Sequence, residues 1–96
     1  MEKLILKLRK NTNFSASIVK YIISELYTLP TKYHELLYDI TFSHDSIIVH
    51  FRKDINFLNI YFIESDIIKV SLVCNYEKNI DTNLDLIKLI TELNRL

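Results

Sequence analysis

The chain has 96 residues, 49% hydrophobic and 25% charged, with twelve basic and twelve acidic side chains. This is the composition of one globular domain, 1–96, able to bury over ~60% of its unfolded surface without disulfides or a metal. Zero net charge removes the positive excess that binding to a phosphate backbone uses. The complete lack of glycine excludes P-loops, GxGxxG dinucleotide loops, nucleophile elbows, the GXXG loop of KH domains and the RRM signature, whose backbones only glycine tolerates.

The charge is unevenly spread. Residues 1–32 hold six basic and two acidic side chains, a net +4, and residues 33–96 hold six and ten, a net −4. Such a dipole can orient self-association or steer a charged partner, or a short basic N-terminus simply offsets an acidic remainder. Cys74 is the single cysteine, so no intramolecular disulfide forms, and its β-branched surroundings suit a small buried hydrophobe better than a nucleophile. With no signal-peptide core, no cleavage site and no apolar run of ~18 residues, a cytoplasmic location and no membrane contact are expected. Isoleucine, lysine and asparagine supply 32 residues, and lysine outnumbers arginine nine to three. Their codons are AT-rich, which points to a low-GC bacterium, a phage, a plasmid or certain viruses.

Lys3–Lys10 alternates, with Leu4, Leu6 and Leu8 on one strand face and lysine and arginine opposite, which predicts an N-terminal edge strand. A basic amphipathic helix is the alternative. Asn11-Thr12-Asn13 is a turn or cap. Phe14, Ile18, Val19, Ile22, Ile23, Leu26 and Leu29 then recur at helical spacing, with Asn13, Ser15 or Ser17 as N-cap. Leu29-Pro30 stops that helix, because the residue before proline avoids αR geometry.

From Glu35 to Asn75 the period changes to two. Leu36, Tyr38, Ile40 and Phe42 oppose Leu37, Asp39 and Thr41, and Ser43-His44-Asp45 turns the chain. Ile47, Val49 and Phe51 oppose Ile48, His50 and Arg52, followed by the turn Lys53–Asn56. Leu58, Ile60 and Phe62 oppose Phe57, Asn59, Tyr61 and Ile63, and Glu64-Ser65-Asp66 turns again. Ile68, Val70, Leu72 and Cys74 oppose Ile67, Lys69, Ser71 and Val73. Connections this short make antiparallel neighbours. Asn75–Ile80 reads as a polar loop. Thr82 with Asp85 has the form of a capping box, ahead of Leu86, Ile87, Leu89, Ile90, Leu93 and Leu96 at helical spacing. The predicted fold is α+β: a four-stranded antiparallel meander, with the N-terminal segment as a fifth strand and two helices on one face, in the order β-α-β-β-β-β-α.

Catalytic and metal chemistry find no foothold. His34, His44 and His50 share no ligand spacing with each other or with Cys74. Asp45, Asp54, Glu64 and Asp66 fall at turns, where backbone reasons favour them, and at alternate ends of the sheet they do not converge on a substrate. Neither serine with histidine nor an oxyanion loop makes a nucleophile arrangement. No enzyme, metal or cofactor is expected.

One sheet face is apolar for a solvated one: Ile48, Phe57, Tyr61 and Ile63 interleave with His50, Arg52 and Lys69. Either the N-terminal segment or a helix folds across it, or it is a partner surface of the mixed aromatic and cationic kind found at protein-binding hot spots. The leading expectation is a non-enzymatic protein-binding module: a small inhibitor, antidote or adaptor of a phage, plasmid or low-GC bacterium. Its candidate site is Ile48, His50, Arg52, Phe57, Tyr61, Ile63 and Lys69, and a homodimer through that face or an edge strand is a further expectation. The alternative is nucleic-acid binding through Lys3, Lys7, Arg9 and Lys10.

Overall fold

A computed structural model of the chain describes residues 1–63, 68–74, 76–81 and 86–96, with side chains described over 1–63 and 86–96. Three helical segments come first: α1 (Glu2–Lys10), α2 (Ala16–Thr28) and the single turn α3 (Thr31–His34). The antiparallel strands β1 (Leu37–Phe42), β2 (Ser46–Lys53) and β3 (Asn56–Ile63) follow. Backbone pairing continues into β4 (Ile68–Cys74) and β5 (Tyr76–Asp81), and α4 (Leu86–Arg95) closes the chain. The sheet runs in sequence order, β1-β2-β3-β4-β5, and the class is α+β with helices on an antiparallel sheet.

The N-terminal segment is helix, not strand. Leu, Lys and Arg are strong helix formers. On a helix Ile5 and Leu8 bury, with Met1 and Leu4 packed beside them, while Leu6 is left 52% exposed on the far side. One exposed leucine is the cost of the helical solution. The strand pattern offered three leucines on one face, but docking against β1 suits a two-turn helix.

In α2 the N-cap is Ser15, whose Oγ accepts from Ile18 N at 3.5 Å. Leu29 ends the helix in extended geometry (φ −67°, ψ 140°), as a residue before proline should. Val19, Ile22, Leu26 and Leu29 are buried and Ile18 and Ile23 flank them. In α4, Leu86, Leu89, Ile90 and Leu93 are buried, whereas Ile87 and Leu96 face solvent. Tyr33 of α3 is buried and its hydroxyl meets Thr91 Oγ1 at 3.4 Å, tying α3 to α4. Lys53 Nζ donates to the carbonyl of Asn94, so a cation sits at the C-terminal end of α4 where the helix dipole favours it.

The helices cover the face carrying Ile40, Ile47, Val49, Phe51, Leu58, Ile60 and Phe62, all buried in one cluster with α1, α2 and α4. Each such side chain contributes about 1.5–3 kcal/mol by leaving water. Tyr21 of α2 stands edge-on to Phe62 (centroids 6.1 Å) and Phe14 packs near Phe42 (6.2 Å).

Two further expectations are corrected. Tyr38 is 47% exposed, while Leu37, assigned to the opposite face, is buried. The cause is a β-bulge: Leu37 pairs with Phe51 and Asp39 with His50, so Tyr38 is an extra residue and the alternation changes phase. Tyr76–Asp81, read as loop, pairs with β4 as an edge strand. Its polar sequence is what an unprotected edge carries. The side chains of Lys69, Val70 and Cys74, the Glu64–Asp66 turn and the Thr82/Asp85 cap lie outside the described residues.

The hairpins show how a chain without glycine turns. Between β1 and β2, Ser43 N donates to Ser46 O at 2.9 Å, and the hydroxyls of the two serines lie 2.6 Å apart. Lys53 pairs with Asn56 across the second turn. There Asp54 takes the left-handed conformation (φ 54°), its carbonyl accepting from Arg52 Nε at 2.7 Å. Aspartate is among the few residues other than glycine that enter this region readily.

Candidate functional site

The antiparallel register of β2 and β3 sets Ile48 opposite Tyr61, His50 opposite Asn59 and Arg52 opposite Phe57, with Ile63 opposite Ser46. Six of the seven residues expected to form the site therefore share the sheet face turned away from the helices. The backbone of the seventh, Lys69, pairs with Tyr61. Ile48, His50, Phe57, Tyr61 and Ile63 are half-buried and Arg52 is exposed. The buried cluster under the helices is built from the opposite face and includes none of these side chains.

The polar centre of the face is a cross-strand row. His50 Nδ1 lies 2.7 Å from Asn59 Oδ1 and His50 Nε2 lies 2.7 Å from Thr41 Oγ1. With the proton on Nδ1, the ring donates to the asparagine carbonyl and accepts from the threonine hydroxyl, so both ring nitrogens are partnered. Three strands are pinned in register by one imidazole.

Beside the row lies an aromatic cluster. Tyr38 stacks against His50 (centroids 5.7 Å, tilted) and meets Phe57 edge-on (6.0 Å), and the Arg52 guanidinium lies 5.3 Å over the Phe57 ring. The bulge aims Tyr38 into this cluster. Sequence reasoning missed Tyr38, Thr41 and Asn59 as members of the site. The signal for Tyr38 was the apolar run Leu36-Leu37-Tyr38, which breaks strict alternation.

At the β1 edge Asp39 accepts from the Ile40 amide at 2.8 Å and from Lys7 Nζ of α1 at 3.4 Å, while Lys7 also donates to the carbonyl of Ile40. Burial pushes the Asp39 carboxyl up. The hydrogen bond from the Ile40 amide and the Lys7 ammonium outweigh it and hold the group below its ordinary value.

Of the cations of the alternative site, Lys3, Lys7 and Lys10 share one face of α1 and Arg9 points elsewhere, and Lys7 is engaged with β1. For metals, His34 lies on α3, His44 in the first hairpin and His50 on β2, and no group of three His, Cys, Asp or Glu side chains forms among the described residues. Nor is any helix among them long and apolar enough to cross a membrane. No family model matches the chain, and no curated protein or solved structure matches it either.

Proposed function

We propose that the chain is a non-enzymatic protein-binding module that takes a protein partner on the open face of its sheet, in the manner of a small inhibitor, antidote or adaptor of an AT-rich genome. One observation carries the reading: Ile48, Phe57, Tyr61 and Ile63 form a half-exposed apolar surface, edged by Tyr38 and Arg52, on the sheet face opposite the buried cluster. A rigid aromatic and cationic surface beside aliphatic side chains is the composition that carries most binding energy at protein interfaces. The row Thr41–His50–Asn59 adds fixed donors and acceptors for register. The reading places the protein in the cytoplasm and allows a second copy of the chain as the partner.

The test is the double substitution Tyr61→Ser, Ile63→Ser in the full chain. Affinity capture from the host followed by mass spectrometry is expected to lose the partner, and light scattering to lose any dimer, while the circular-dichroism spectrum stays that of the wild type. A wild-type protein that is monomeric at all concentrations and captures nothing would sink the proposal. Binding through α1 to nucleic acid predicts salt-sensitive affinity that falls when Lys7, Arg9 and Lys10 are neutralised.

A further inference from the structure

On the helical side of the molecule, away from the open sheet face, a cleft of about 500 Å³ lies between the C-terminal end of α1 and the flank of α2. Its floor is apolar, built from Phe14, Val19 and Ile23, and Arg9, Asn11 and Lys20 stand around it. Among the described residues no acidic side chain lines it. Arg9 and Lys20 have no ion-pair partner among the described residues, unlike Lys7, which is committed to Asp39. The 32-residue N-terminal third of the chain, which builds the cleft, carries a net charge of +4.

These features define a ligand class. Sites for single small molecules enclose roughly 300–1,000 Å³, are mostly apolar and carry a few polar groups that fix orientation. Two cations beside an apolar floor, with no anion to neutralise them, match a molecule with an apolar body and one anionic head. Arginine supplies a planar fork that fits a carboxylate, lysine a second charge. We infer that this cleft binds a small amphipathic carboxylate, its head between Arg9 and Lys20 and its apolar body over Phe14, Val19 and Ile23. The inference stands independently of the sheet face.

Three probes of similar length separate charge from greasiness: octanoate, octan-1-ol and octylammonium, with acetate as the head without the body. In ¹H–¹⁵N spectra of the full-length protein, octanoate is expected to give saturable shifts concentrated at Arg9, Asn11, Lys20 and Ile23. Octanol and octylammonium should bind roughly tenfold or more weakly and acetate should not saturate. The double variant Arg9→Gln, Lys20→Gln should bring octanoate down to the affinity of octanol. Should that variant not fold, the four ligands on the wild-type chain decide alone. Equal affinity for octanoate and octanol, tighter binding of octylammonium, shifts centred elsewhere, or no saturable binding of octanoate would each overturn the assignment.

Discussion

The two faces of β2 differ in what each side chain has to satisfy. Ile47, Val49 and Phe51 are wholly out of water under the helices, while Ile48, His50 and Arg52, one residue along in each case, stay half-buried or exposed on the other side. The inner set depends only on shape and volume, because a close-packed apolar core has no direction to its forces. The outer set is held by direction: a histidine between two hydrogen-bond partners, a guanidinium over a ring, a tyrosine edge-on to a phenylalanine. On the proposed function, the same strand separates stability from recognition. Substitutions on one face should unfold the protein, and those on the other should leave it folded and change what it binds.

Adjacent positions offer the sharpest break. Phe51→Ala opens a cavity in the core and is expected to cost about 3–5 kcal/mol, a large part of the ~5–15 kcal/mol that holds a domain together. Arg52→Ala removes a cation–π contact and an exposed hydrogen bond and should cost about 0.5–1 kcal/mol. Urea unfolding of both variants measures the difference, and equal losses would end the distinction between the faces.

Asp54 tests the hairpin that sets the register of both faces. Asp54→Val places a β-branched residue at φ 54° and is expected to lose about 1–2 kcal/mol. Asp54→Gly should be neutral within about 1 kcal/mol, since relief of the left-handed strain offsets the added freedom of the unfolded chain. A stable valine variant would mean that the turn adopts another geometry in solution.

Lys53 joins β2 to the end of α4, and Lys53→Met should lower stability by about 0.3–1 kcal/mol at low salt and by less at high salt. The smallest effect belongs to Asp39. Its folded pKa lies below the ordinary value of 3.8, so its contribution is complete above that value and fades as pH falls through the lower folded one. Because its pair with Lys7 is solvent-exposed, the effect is under about 1 kcal/mol. Wild type and Asp39→Asn should therefore differ more near pH 6 than near pH 2, as chemical denaturation at the two values will show.

Regularity decided which parts were legible from residues alone. β2 and β3 pair over eight residues each with no register shift, and a one-residue slip would have turned Ile47, Val49 and Phe51 to solvent. Their faces followed from sequence, and with them the shared face of the six residues proposed as the site. Tyr38 did not, because a bulge is one unpaired residue in an otherwise ordinary strand. Thr41 and Asn59 are polar residues whose role exists only once three strands lie side by side.

What the sequence determined by itself was features with a local cause: the start of α2 within Asn13–Ser17 and its stop before Pro30, the apolar stripe of α2 and most of that of α4, the turns at Ser43–Asp45 and Lys53–Asn56. Tertiary structure decided the rest. Lys3–Lys10 is too short for its pattern to separate a period of 2 from 3.6, so the choice fell to what Ile5 and Leu8 could bury against. Edge pairing made Tyr76–Asp81 a strand, and the phase of β1 was set by Leu37 reaching the core at the expense of Tyr38. Local rules act through backbone bonds to near neighbours, whereas these outcomes turned on surfaces that come together only when distant segments pack.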